Sequence, residues 1–243
     1  MPVTAGPAQL RAAITGLAGH AATEEELLLA TAPAGEAGGP DRWAAVPLIA
    51  HNTEFKRQQA IRLAAVAAGT VPPAFGDIDH GSAEVYQRCA AQPAAAVAAA
   101  SRQATAAVLD GLAAVTDEDL TDPARHPWLA GRQLWLQVIV RAFWHPMGHL
   151  GDYYLDHGQP GRAAAMQAHA VAAARYLDAP GPARGMAFYN LACAQARSDQ
   201  PDTALPPLRR AIRLNRALMV NAARDRDLAV LRERGQLDEL LAR

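Results

Sequence analysis

Apolar residues in this chain recur at the three- and four-residue spacing of helices, and the period-two alternation that announces a sheet is missing. Leu10, Ile14 and Leu17 set one such stripe, which predicts a helix over residues 8–31. A Gly- and Pro-rich stretch, 32–40, breaks the chain, and Asp41 is placed to cap a second helix from Arg42 to about Ala68. Pro47 lies near its start and can shift that start by a turn. A third helical region covers 82–115 with an interruption near Pro93, and an acidic, Pro-containing loop covers 116–127. The fourth helix runs from about Gly131 to Asp156 and stops at Gly158-Gln-Pro-Gly161. The expectation is an all-α chain whose residues 1–158 form a four-helix bundle.

Composition narrows the function classes. With 51% hydrophobic and 19% charged residues the chain is globular rather than disordered. Its 23 basic and 24 acidic residues leave a net charge of −1, and no basic stripe is interleaved with aromatics, so nucleic acid is not an expected partner. Cys89 and Cys193 are far apart in Ala-rich helical contexts, where free Cys acts as a small buried hydrophobe. The first 30 residues lack the uninterrupted apolar core of a secretory signal, and apolar runs elsewhere are too short to span a bilayer. A cytoplasmic address follows as the default expectation. The preference for Arg over Lys, with abundant Ala, suggests a GC-rich bacterial genome.

Residues 159–243 differ in texture. Gln159-Pro-Gly-Arg-Ala-Ala164 and Gln200-Pro-Asp-Thr-Ala-Leu205 are related openings 41 residues apart, and each precedes an amphipathic helix. With Asn190-Leu-Ala-Cys-Ala194 between them and Arg209-Arg-Ala-Ile-Arg-Leu-Asn215 after, the segment resembles about one and a half tetratricopeptide repeats. So few repeats do not stand alone, so this tail is expected to pack on the bundle, on a second copy of the chain, or on a protein partner.

The chemistry concentrates in Arg141-Ala-Phe-Trp-His-Pro-Met-Gly-His-Leu-Gly-Asp-Tyr-Tyr154. His145 and His149 are four residues apart, which stacks their imidazoles on one helix face where they can share a metal ion. Pro146 and Met147 follow the first His, so the Glu of the helical metalloprotease motif is absent. Pro146 either kinks a continuous helix or opens a new one. A third ligand candidate is His51, which shares an otherwise apolar helix with Glu54 and Gln58. Taken alone, His51 is more often a hydrogen-bonded core histidine than a ligand, and the competing reading of His145 and His149 is a polar patch that closes the bundle end. Asp152 and Tyr153 are candidates to orient an imidazole or simply to close the helix end. Glu54 is the candidate for proton handling. Trp144 and Phe55 are candidates for the pocket mouth.

One His on the second helix and His-x-x-x-His on the fourth resembles the DinB-like family, also called YfiT-like metal-dependent hydrolases, over roughly residues 8–157. The resemblance implies His51, His145 and His149 as ligands of a divalent metal, zinc or nickel foremost, with iron and manganese open. It also implies a small-molecule substrate and either hydrolysis or thiol S-transfer, the latter with a low-molecular-weight thiol. The competing expectation is a non-catalytic metal-binding or protein-interaction module that uses the tail.

Overall fold

The computed structural model describes residues 6–33, 35–39, 42–75, 86–88, 90, 92–198 and 201–241. Among them the regular elements are helical and no strand forms; Gly39 and Arg42 make one isolated bridge. Helix α1 spans Pro7–Thr31, α2 Ala45–Ala67, α3 Ala94–Ala114 and α4 Asp117–Thr121. Helix α5, Leu134–Ile139, passes through a π turn, Val140–Trp144, into α6, His145–Asp156. The rest is α7 (Pro160–Tyr176), α8 (Gly181–Ala196), α9 (Leu205–Leu214), α10 (Leu218–Ala222), α11 (Ala229–Glu233) and α12 (Gln236–Leu241).

Helix α1 matches the predicted segment. Helix α2 begins three residues later than expected, with Pro47 inside its first turn, where a missing N–H costs nothing. The proposed cap Asp41 lies outside the described residues. Glu36 serves that end instead, its carboxylate accepting the Ala45 N–H at 2.8 Å. Pro93 immediately precedes α3, as its fixed φ allows, while residues 82–85 of the expected third helical region lie outside the description, as do His80 and Cys89. The stretch expected as a loop, 116–127, contains α4. Thr116 Oγ1 accepts the Asp119 N–H at 3.0 Å while the Asp119 carboxylate takes the Thr116 N–H at 3.1 Å, a reciprocal cap that starts the helix.

The described residues fall into two compact units that divide at Pro146/Met147, inside α6. In the first, α2 lies along α3, and α1 packs on α3. Gly111 permits the α2–α3 approach: a Cβ there would stand 2.7 Å from Leu63 Cβ. Arg11 ties α1 to the end of α3 by donating to the carbonyls of Leu112 and Val115 and pairing with Asp117. Ile14, Leu28, Ile49, Leu63, Val108, Leu120, Leu134 and Phe143 are buried. Each contributes roughly 1.5–3 kcal/mol by leaving water.

In the second unit α7 packs on α8 and α8 on α9. Gly185 allows the α8–α9 contact, since a Cβ there would come 2.9 Å from Asn215 Cβ. The core gathers Tyr189, Ala192, Cys193, Leu208, Leu218, Leu228, Leu231 and Leu237. Polar ties close it: Tyr189 donates to Asp225 at 2.7 Å, and Arg197 pairs with Asp156 and Asp227 at 3.0 and 3.2 Å. No helix among the described residues is long and apolar enough to cross a membrane.

Candidate metal centre

Helix α2 buries an unusual load of polar side chains in two stripes. One line runs His51, Phe55, Gln58, Arg62; a second, about 100° round the helix, runs Asn52, Lys56, Gln59. The second line explains itself. Lys56, the chain's only lysine, is 2% exposed and pairs with Glu25 at 2.5 Å, while donating to Ser101 at 2.8 Å and Thr105 at 3.2 Å. Asn52 donates to the other Glu25 oxygen at 3.0 Å. Reading the sequence missed this network, although a signal existed. Glu25 continues the Ile14, Ala18, Ala21 spacing of α1, so it occupies a core position.

The first line leads to the histidines. His51, buried at 2% exposure, has its ring centroid 5.1 Å from that of His145. Phe55, one turn after His51, stacks on His145 at 3.8 Å with only 25° between the planes, which restricts how that imidazole can rotate. Trp43 meets His51 edge-on at 5.2 Å and Tyr86 at 5.4 Å.

The π turn positions His145 itself. His145 donates its N–H to Val140, five residues back, because the helix widens just before Pro146. A regular α turn would drive the Pro146 ring against the carbonyl four residues earlier. Both sequence readings of Pro146 therefore hold in part: the helix is continuous, and Pro146 sits in the first turn after the change of pitch. His149 follows one turn along the same helix. The structure brings the three histidines together, with one donor nitrogen of each within 4.8 Å of the others. Zinc–nitrogen bonds of about 2.1 Å in a tetrahedron put nitrogens roughly 3.4 Å apart, so small ring rotations suffice. The donor set is borderline-soft and neutral, which suits a divalent transition metal.

Arg62 ends the stripe. It is 9% exposed, and its Nη1 atom finds no hydrogen-bond partner among the described residues. Its guanidinium lies 4.6 Å from the Phe75 ring centroid. Desolvation and, second, the nearby charge of Arg141 push its pKa down to about 10. Arg141 in turn lies 5.0 Å from the Phe55 centroid. A desolvated cation–π contact returns about 2 kcal/mol, whereas burying a charge costs several. The ring contact alone does not offset the burial.

Glu54 lines a cavity of about 280 Å³ with Ala50, Thr53, Arg57, Arg88 and Gln92, and its carboxylate accepts from Gln58 at 3.5 Å. Trp144 is half-buried at the end of the π turn, and Tyr153 is buried with His157 stacked on it at 3.9 Å. The His157 Nδ1 atom lies 2.7 Å from the Tyr153 carbonyl. His126 is buried against the Asp119 carbonyl at 3.0 Å. Solvent reaches Asp152, yet desolvation by its surroundings, then the charges of Asp227 and Asp156, push its carboxyl up to about 7. Cys193, Asp225 and Asp227 also bring donors within 4.8 Å of one another. There burial and the adjacent carboxylates raise the thiol pKa, and its proton points to Asp225 at 3.7 Å. That trio reads as a closed hydrogen-bond network.

Comparison with family models, with curated proteins and with solved structures returned no match.

Proposed function

We propose that this chain is a metal-dependent enzyme of the DinB-like type, a four-helix bundle carrying a tetratricopeptide-like tail, that acts on a small molecule by thiol S-transfer or hydrolysis. The observation that carries the reading is the convergence of His51, His145 and His149, from two helices distant in sequence, on one small volume. The stacking of α7, α8 and α9, with the close approach at Gly185, supports the repeat-like character of the tail.

His51, His145 and His149 would hold the ion, and three protein ligands leave a position open for water or substrate, as in catalytic rather than structural sites. A divalent ion so bound lowers the pKa of a water or a thiol toward neutrality. Phe55 holds the His145 ring plane, and Trp43 and Phe55 dry the His51 side of the site. Zinc and nickel are the leading candidates.

Elemental analysis of the purified protein beside a His145→Ala/His149→Ala variant tests the reading. About one divalent ion per chain in the parent and none in the folded variant supports it. No ion in either after incubation with zinc and nickel sinks it. A parent that holds metal yet turns over neither thiol-acceptor nor ester and amide substrates favours the non-catalytic module.

A further inference from the structure

We propose that a groove along the first halves of α2 and α3 binds a small apolar monocarboxylate, of the kind a medium-chain fatty acid represents, with its carboxylate toward Arg57 and Arg88. The groove is separate from the histidines and does not rest on the metal reading.

The sequence of α2 sets it up. Val46, Pro47, Ala50, Thr53, Glu54 and Arg57 share one face of that helix, centred about 100° round from His51. Leu63 meets Gly111 and Lys56 bonds Ser101, so α2 and α3 run in the same direction and their first turns lie together. There α3 and its cap offer Pro93, Ala94, Val97 and Ala100, mostly small side chains that leave space. That space is two cavities that share Gln92 as a wall. The cavity at the Val46 end holds about 490 Å³ and is walled chiefly by apolar groups, Leu29, Pro47, Tyr86 and Pro93 among them. Glu36 also lines it, with its carboxylate already engaged by the Ala45 N–H at 2.8 Å. The cavity at the Arg57 end holds about 280 Å³ and carries the charge, from Arg57, Arg88 and Glu54.

Size and charge choose the occupant. Voids left by packing rarely exceed a water molecule, whereas small-molecule sites measure roughly 300–1,000 Å³. Val46 and Arg57 are eleven positions apart, about 16 Å along the axis, which suits an elongated molecule with unlike ends. Two guanidinium groups and one carboxylate give the described walls of the polar end a net charge of one, which matches a monoanion. A dianionic phosphate would press on Glu54, and a cation would face both arginines.

The test titrates the full chain calorimetrically with decanoate, octanoate, decanol and decyltrimethylammonium, each below its aggregation concentration. Decanoate is expected to bind, and octanoate roughly fifteenfold more weakly, at about fourfold per methylene. Equal affinity for the two acids overturns the proposal. Arg57 and Arg88 are exposed, so Arg57→Gln/Arg88→Gln is expected to keep the fold and weaken decanoate roughly tenfold, with decanol unchanged. Glu54→Gln is expected to tighten decanoate, and Val46→Phe to abolish its binding by filling the apolar end. If Val46→Phe does not fold, the comparison of the two acids on the parent carries that readout. Decanol or decyltrimethylammonium binding as tightly as decanoate overturns the proposal, as does unchanged affinity in the arginine double variant. His145→Ala/His149→Ala is expected to bind decanoate as the parent does; loss there would put the acid on the histidines and overturn it. A parent that binds decanoate but no metal leaves this groove standing and removes only the metal reading.

Discussion

Replacing Lys56 by Met should damage the first unit far more than a surface lysine change. The ammonium is 2% exposed and its partner Glu25 is 1% exposed, so the substitution strands a carboxylate with no solvent to turn to. Breaking one side of such a buried pair costs about 3–5 kcal/mol. Ser101 and Thr105 lose a donor at the same time, though both can turn toward each other or the Glu25 oxygens. At roughly 2–4 °C per kcal/mol for a chain of this size, the melting temperature falls by about 6–20 °C. Adding Glu25→Gln to the same chain should recover most of the loss. The amide oxygen still accepts from Asn52, its NH₂ can donate to Ser101, and no charge remains buried. Urea unfolding followed by circular dichroism, on parent, both single variants and the double, reads the coupling directly. A Lys56→Met cost under about 1 kcal/mol, or a double variant no better than the single, would refute the reasoning, because either result means the carboxylate was never desolvated.

Other perturbations separate packing from propensity and locate the pH dependence. Gly111→Ala brings a methyl within 2.7 Å of Leu63 Cβ and should lose about 1–3 kcal/mol, whereas Gly16→Ala on the open face of α1 should gain up to about 1 kcal/mol; thermal melts of the two variants distinguish the cases. Tyr189→Phe removes the 2.7 Å bond to Asp225 and should cost about 1.5–3 kcal/mol in urea unfolding. Asp152 holds its proton to about pH 7 when folded and to its ordinary carboxylate range when unfolded, so the folded state binds the extra proton between those values. Stability of the metal-stripped protein should therefore fall as pH rises from about 4 to 7 and level off above it. Asp152→Asn should flatten that slope and raise the melting temperature at pH 8.

Which features could be read in advance depended on whether the cue was local. The spacing of His145 and His149 and the apolar stripes of α1 are short-range patterns, and they led to the right helices. Helix α4 escaped because its cap pairs Thr116 with Asp119 rather than with Glu or Gln. The π turn was undecidable beforehand, since Pro146 disfavours a regular turn but does not say how the chain will relieve it. Glu25 and Lys56 lie 31 positions apart, and each alone looks like a solvated charge. The same holds for Arg62, which meets the Phe75 ring and feels the charge of Arg141 far downstream in the sequence. Spacing finds groups that share a helix face; charges that meet across helices are found only once the helices are packed.

The Asn52–Lys56–Gln59 stripe has a consequence for the histidines on the neighbouring stripe of the same helix. Apolar surfaces let a helix slide by a turn at small cost, but a buried ion pair does not. Shifted by one turn, about 5.4 Å, α2 would offer Glu25 an Asn or an Ala in place of the ammonium and leave Lys56 stranded. The pair therefore acts as a register pin for α2 against α1 and α3. His51 stands five residues from Lys56, about 7.5 Å along the axis, so its height opposite His145 is set by a salt bridge that never touches it. A chain that repacked Glu25 and Lys56 as hydrocarbons could gain stability and lose the coincidence of its imidazoles.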